Sequence, residues 1–255
     1  MREFFGFVEN TRPVQGFFSW QHITFVTTLM VIMALSAFVL GRRNRHASGQ
    51  VKNRVLIWAA LLIDGFEIAK ILIACIQDPS AWSRNLPLFL CSIQLITIPL
   101  AAFSRGRLKE AAMDFVAIFG ILGAVLGTYG AAQNYNYYPV LSWPNVVSGI
   151  THSISGFASL YIMCSGLLSL RRKNMPITFG ILFFFCAAAL LANWQLDYNY
   201  MFLRAGDGTP YDVLFNLVGG HKIFYPAGVI GLFLLYIGAF YAVHSLAERK
   251  KAVVA

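Results

Sequence analysis

Long apolar runs alternate with short polar segments along the whole chain. A helix needs roughly 20 mostly apolar residues to cross the hydrocarbon core of a bilayer. Seven stretches reach or approach that length, at 18–40, 55–76, 87–104, 111–130, 144–169, 175–195 and 221–244. Asp114 interrupts the fourth stretch and Asn193 the sixth. The pattern predicts an all-α, polytopic membrane protein with seven transmembrane helices, which form a single domain over residues 1–255.

Composition excludes an ordinary soluble domain, because 58% of the 255 residues are hydrophobic and only 12% are charged. The formal net charge is +9, which raises the question of a nucleic-acid partner. The basic residues, however, fall in short clusters between the apolar stretches and do not form one polar stripe. We therefore expect no nucleic acid as a partner.

The basic clusters predict the orientation of the chain. Fourteen of the twenty Lys and Arg follow the odd-numbered spans, namely Arg42, Arg43, Arg45, Lys52, Arg54, Arg105, Arg107, Lys109, Arg171, Arg172, Lys173, Arg249, Lys250 and Lys251. The opposite side holds Arg2, Arg12, Arg84, Arg204 and Lys222. Positive residues favour the cytoplasmic side, which predicts a cytoplasmic C-terminus and an N-terminus outside.

Ionisable residues recur within the second predicted span. Asp64, Glu67 and Lys70 are spaced three apart, which puts them on one side of a helix. Such groups are costly in a membrane and often mark functional sites. Two interpretations stay open. Glu67 and Lys70 form a self-neutralising pair that orients the helix, or the three residues line a polar wall for a lipid headgroup, a small solute or a proton.

Cys91 and His152 are the strongest candidates for chemistry. Cys91 enters the third predicted span, and His152 lies at similar depth in the fifth, about one helical turn away along the axis. An apolar thiol is a poor nucleophile unless a base takes its proton. Contact between the two side chains would permit covalent acyl transfer near the outer surface. The alternative is that both residues only pack between helices.

Three other polar residues have two readings each. Gln94 and Asn193 carry amides that either donate to an oxyanion or bridge helices. His22 either contacts a substrate at the outer interface or hydrogen-bonds a loop. The four cysteines form no CxxC pair and have no His at metal-ligand spacing. The sequence therefore predicts neither a metal nor a cofactor.

Several segments carry a family resemblance over nearly the whole chain. They are 20–22, 86–91 (LPLFLC), 151–153, 193–194 and 199–203 (NYMFL). In this order they resemble the YwaF-like family of bacterial integral membrane proteins. That family is related to an animal transmembrane acyltransferase that uses a cysteine to place polyunsaturated acyl chains on ether lysophospholipids.

The resemblance implies a multi-pass acyltransferase of the bacterial plasma membrane that remodels phospholipids, with Cys91 as nucleophile and His152 as base. Its partners would be membrane lipids, including a lysophospholipid. The residues expected to bind substrate are Glu67, Lys70, Gln94, Asn193, Tyr200 and His22. In one departure, Phe89 stands where the family commonly has His. Two alternative functions stay open. One is a transporter or binding protein that uses Asp64, Glu67 and Lys70. The other is a lipid-binding protein without catalysis, which Phe89 in place of His favours.

Overall fold

A computed structural model describes residues 1–7 and 14–254 of the chain, with side chains through residue 247. Over this range the chain forms helices, turns and loops and no strand. Arg12 of the charge pattern lies outside the described residues. The side chains of Arg249, Lys250 and Lys251 also lie outside them.

The α-helices of the described range differ widely in length. In chain order they are α1 (Arg2–Phe5), α2 (Trp20–Asn44), α3 (Gly49–Gln77), α4 (Gln94–Phe103), α5 (Gly106–Tyr129), α6 (Ala132–Tyr137), α7 (Trp143–Cys164), α8 (Met175–Leu196), α9 (Tyr211–Leu217) and α10 (Phe224–Val254). Short 3₁₀ helices at Ala81–Arg84, Arg172–Asn174 and Tyr200–Phe202 complete the helical elements of these residues.

Five of these helices, α2, α5, α7, α8 and α10, are long and apolar enough to cross a membrane. They correspond to the first, fourth, fifth, sixth and seventh predicted spans. The fifth prediction ran too far, because α7 ends at Cys164 and Gly166 then adopts a left-handed φ of 74°. Glycine favours such a turn out of a helix. The chain is thus an all-helical, multi-pass membrane protein.

The second and third predicted spans differ from the other five. Helix α3 covers the second over 29 residues, but it carries Asp64, Glu67 and Lys70. The third is helical only over the ten residues of α4, which rise roughly 15 Å, about half of the hydrocarbon core. Seven spans and the orientation of the termini remain predictions.

The segment 86–93 before α4 forms turns where the sequence predicted the start of a helix. The Ser92 hydroxyl accepts from the Phe89 N–H at 3.0 Å and lies 3.1 Å from the Phe89 carbonyl oxygen. Such local side-chain bonds to the backbone compete with helix formation. Cys91 therefore lies in a turn, three residues before the first residue of α4.

Helix α5 occupies the centre of the bundle and packs against α4, α7 and α8. Its side chains from Ala111 to Gly120 are buried. Two serines of α7 bind α5 carbonyls, since Ser155 donates to Gly120 O at 3.4 Å and Ser159 to Ala117 O at 2.7 Å. These two serines therefore join the two helices.

Asp114, the charge that interrupts the fourth predicted span, is fully buried within α5. Its carboxylate accepts from Leu170 N–H and from the Tyr241 hydroxyl, both at 2.9 Å, and from the Ser169 hydroxyl at 3.1 Å. A buried carboxylate needs such donors. Asp114 thereby ties the loop after α7 and helix α10 to the central helix.

Candidate functional site

Cys91 and His152 come together, close enough for the thiol and the imidazole ring to interact. Both residues are partly exposed. His152 lies nine residues after Trp143, the first residue of α7, or roughly 14 Å along the axis. The turn that precedes α4 brings Cys91 to this depth. The sequence predicted that Cys91 and His152 differ by about one helical turn along the axis. The two residues still come together because Cys91 lies in a turn and not on a regular helix.

The His152 ring is oriented by its own helix. Its Nδ1 atom lies 2.7 Å from the Ser148 carbonyl oxygen, which can only accept a hydrogen bond, so Nδ1 must carry the proton. In the neutral ring Nε2 is then unprotonated. This arrangement leaves Nε2 as the ring nitrogen that is free to accept a proton.

Two glycines of α5 provide the space for this pair. A Cβ atom at Gly123 would lie 3.3 Å from Cys91 Cα, and one at Gly127 would overlap His152 Nε2 and Cδ2. Helical residues four apart share a face, so one side of α5 approaches both functional residues. The sequence analysis missed these positions, although small residues four apart are a known signal of close helix packing.

Gln94 lies close to Cys91 in the chain and has an unused donor. Its side chain is fully buried, and Oε1 accepts from the Thr97 hydroxyl at 2.9 Å. No described residue pairs with Nε2. An unpaired buried N–H costs free energy, and it can donate to charge that develops during a reaction.

Asn193 differs from Gln94, because both ends of its amide are engaged. Its Oδ1 accepts from Tyr200 N–H at 2.6 Å, and its Nδ2 donates to the Tyr200 carbonyl at 3.0 Å. Tyr200 is also fully buried. Asn193, one of the expected substrate-binding residues, therefore holds the backbone of Tyr200 through both ends of its amide.

Glu67 and Lys70 of α3 form the predicted pair, with Lys70 Nζ 2.5 Å from Glu67 Oε1. Lys70 lies within electrostatic range of the His152 ring. Glu67 is buried, and Lys70 and Asp64 are partly exposed. The structure thus adds one cation to the surroundings of the Cys91–His152 pair.

His22 is fully buried at the start of α2, and both of its ring nitrogens are engaged. Nδ1 accepts from Phe18 N–H at 3.1 Å, and Nε2 lies 3.2 Å from the Thr128 carbonyl oxygen, to which it donates. Its ring centroid lies 3.9 Å from that of Tyr135. These contacts correspond to the loop-binding alternative of the sequence analysis.

Phe89 stands where a polar His was expected from the family resemblance. Its ring lies 5.2 Å from that of Tyr200, 5.8 Å from Phe202 and 6.2 Å from Tyr198, measured between centroids. Aromatic pairs at these separations stabilise packing. The ring therefore joins the segment before α4 to the loop after α8 by apolar contacts.

Within the described residues no group of three or more His, Cys, Asp or Glu side chains could hold a metal ion.

Comparisons with known proteins identify the family. No curated protein and no solved structure matches the chain. A family model described as the TMEM164 family matches residues 17–241, which include every site residue discussed above. Because the match extends over most of its length, the chain belongs to the TMEM164 family.

Proposed function

We propose that this protein is a membrane acyltransferase that moves a fatty acyl group between lipids through a thioester on Cys91. The observation that supports the proposal is the approach of the Cys91 thiol to the His152 ring beside Gly123 and Gly127, with Nδ1 of His152 held by the Ser148 carbonyl. A thiol, a base and a group that orients the base are the components that nucleophilic catalysis requires.

In the first half-reaction His152 Nε2 takes the thiol proton, and the Cys91 sulfur attacks the ester carbonyl of a donor lipid. The C–O bond of the resulting tetrahedral intermediate breaks to leave a thioester on Cys91. The imidazolium returns its proton to the departing oxygen, which leaves as the alcohol of a lysolipid. His152 thus acts first as base and then as acid.

In the second half-reaction His152 again acts first as base and then as acid. His152 takes the proton from the hydroxyl of an acceptor lysophospholipid, whose oxygen attacks the thioester carbonyl. The C–S bond breaks, the acyl ester forms on the acceptor, and the thiolate recovers its proton from the imidazolium. No oxidant, metal or nucleotide enters the balance.

Two groups suit the negative charge of the tetrahedral intermediates. The unpaired Gln94 Nε2 is a buried donor three residues after Cys91, and removal of an oxyanion donor commonly costs about 100-fold or more in rate. The ammonium of Lys70 suits the phosphate of a phospholipid headgroup, with Glu67 as its partner when no lipid is bound.

The decisive experiment compares purified wild type with Cys91→Ser and His152→Ala in detergent and lipid. Wild type is expected to exchange acyl groups between a labelled phospholipid and a lysophospholipid, and to form an acyl adduct that hydroxylamine removes. Both variants lose the exchange, while Cys75→Ser, another partly buried thiol, retains it. Equal exchange by all four proteins would sink the proposal.

Seven spans with a cytoplasmic C-terminus form a second part of the proposal. Helix α3 rises roughly 44 Å at 1.5 Å per residue, enough to span the core despite its charges. The segment 86–93 together with α4 would supply the remaining crossing. Reporter fusions in the loops 45–48, 104–105 and 165–171 test this topology, and an external signal from any of them contradicts it.

The chain's location in a bacterial plasma membrane and its YwaF-like character are proposed on the resemblance of the segments 86–91 and 199–203. Fractionation of cells that express the tagged protein tests the location. Recovery from any other membrane would contradict it.

Lipid binding without catalysis is the second candidate, and Phe89 favours it. The residue places an apolar ring where a His would supply another proton carrier. Lipidomics on a deletion strain separates the two functions, because loss of an acyltransferase changes the acyl profile and loss of a passive binder does not. For a transporter, Glu67→Gln would abolish uptake and Cys91→Ser would be silent.

A further inference from the structure

Tyr200 connects the loop after α8 to the segment that carries Cys91. Its buried hydroxyl donates to the Ser83 carbonyl at 2.5 Å and accepts from Leu86 N–H at 3.2 Å. Burial raises the pKa of Tyr200, so the hydroxyl stays protonated near neutral pH. One side chain therefore fixes two backbone groups at the start of that segment.

The segment 86–93 depends on such outside contacts. It is irregular up to the turn at 90–93, and its backbone has only scattered internal bonds, such as Ile93 N–H to Phe89 O at 2.9 Å, in place of the continuous ladder of a helix. Cys91 follows Leu86 by five residues, and the Phe89 ring between them lies 5.2 Å from the Tyr200 ring. Tyr200 thus contacts the segment through its ring and its hydroxyl.

Tyr200 is itself held firmly. The two hydrogen bonds from Asn193 fix its backbone, while the next two residues, Met201 and Phe202, adopt left-handed φ angles of 56° and 55°. Non-glycine residues rarely take this conformation and pay a cost for it. The contacts of Asn193 and Tyr200 stabilise that arrangement.

We propose that Tyr200 is a positioning residue, whose hydroxyl fixes the start of the segment 86–93 through Ser83 and Leu86 so that the Cys91 thiol meets His152. The inference rests on the proposed function for its catalytic consequence. The thiol–imidazole contact itself can be measured without acyl transfer.

The test is Tyr200→Phe, which removes the hydroxyl and keeps the ring. Tyr198→Phe is the matched control, because Tyr198 also contacts Phe89 and its hydroxyl has no hydrogen-bond partner among the described residues. Alkylation of Cys91 by iodoacetamide is followed by peptide mass spectrometry from pH 5 to 9 in the full-length protein. Acyl-exchange kcat and KM are measured on the same samples.

Tyr200→Phe is expected to change the pH profile of Cys91 alkylation to that of His152→Ala. Its kcat is expected to fall about tenfold, with KM within about twofold of wild type, as loss of a positioning hydrogen bond predicts. Tyr198→Phe retains the wild-type profile. A wild-type profile in Tyr200→Phe overturns the proposal, even where thermal stability falls.

Asn193→Asp provides a second variant if Tyr200→Phe fails to fold. It keeps the acceptor for Tyr200 N–H and removes the donor to the Tyr200 carbonyl. We expect the pH profile of Cys91 alkylation to shift in the same direction as in Tyr200→Phe. An unchanged profile counts against the proposal. Absence of acyl exchange in wild type would overturn the proposed function alone, because the alkylation profiles still decide the role of Tyr200.

Discussion

Gly127 of α5 faces the His152 ring of α7 so closely that a Cβ atom at position 127 would overlap Nε2 and Cδ2. These ring atoms form the edge that accepts the Cys91 proton in the proposed reaction. A residue with no side chain therefore determines where the base can sit. Helix packing and the proposed chemistry therefore depend on the same position.

The variant Gly127→Ala is expected to displace His152 and to abolish acyl exchange. Overpacking at such a contact costs about 1–3 kcal/mol of unfolding free energy. Gly180→Ala in α8 is the control, because a Cβ there meets no atom within 4 Å. Thermal unfolding and acyl exchange are measured on both. Wild-type exchange by Gly127→Ala would show that the ring has room to move.

Gln94 is expected to contribute to the rate and little to binding. Gln94→Leu removes the unpaired Nε2 donor and should lower kcat by about 10²-fold with KM nearly unchanged. Thr97→Val, which removes only the hydrogen bond to Gln94 Oε1, serves as the control for local packing. An equal fall in kcat in both variants would show that Gln94 acts only through local packing.

His22 and His152 should respond differently to removal of the ring. In His22→Ala the Thr128 carbonyl and the Phe18 N–H lose their partner, which costs about 1–3 kcal/mol of unfolding free energy. The pH profile of Cys91 alkylation should stay as in wild type. In His152→Ala that profile changes. Alkylation measured by mass spectrometry separates the two histidines.

We expect Asp114 to stabilise the fold without affecting the Cys91–His152 pair. Asp114→Ala leaves the Leu170 N–H and the Tyr241 hydroxyl unpaired, at a cost of about 3 kcal/mol. Asp114→Asn retains one acceptor oxygen and should lose less. Unfolding by heat in detergent measures both. A profile of Cys91 alkylation altered in the folded Asp114→Asn variant would contradict this assignment.

We expect Asp78 to give the free energy of unfolding a small dependence on pH. Hydrogen bonds from the Ser80 hydroxyl and N–H, and from the Arg84 guanidinium, hold the pKa of Asp78 below its ordinary value. A lowered folded-state pKa stabilises the fold above the unfolded value of about 4, and that stabilisation is lost as pH falls through the folded value. Unfolding midpoints of wild type and Asp78→Asn should converge over that interval. A constant difference down to pH 3 would contradict the prediction.

The apolar pattern was sufficient to predict the long helices. Five of the predicted spans correspond to helices of spanning length, because roughly 20 apolar residues in a row suit a membrane helix whatever its neighbours are. The pattern failed at 87–104, where Ser92 bonds to the backbone of Phe89. These hydrogen bonds belong to a single side chain. The mean hydropathy of the segment does not register them, so the pattern could not predict the turn.

The sequence by itself determined the membrane class, the candidate thiol and the candidate base, since these follow from residue type and from hydropathy. It also placed Glu67 and Lys70 within reach of each other, because helical spacing is local. Only the tertiary structure brought Cys91 to His152 across separate segments. It also decided that Asn193 holds Tyr200 while Gln94 keeps a free donor. The physical reason is that contacts between distant segments depend on the packing of whole helices around α5, where the absence of a side chain at Gly127 makes room for the His152 ring.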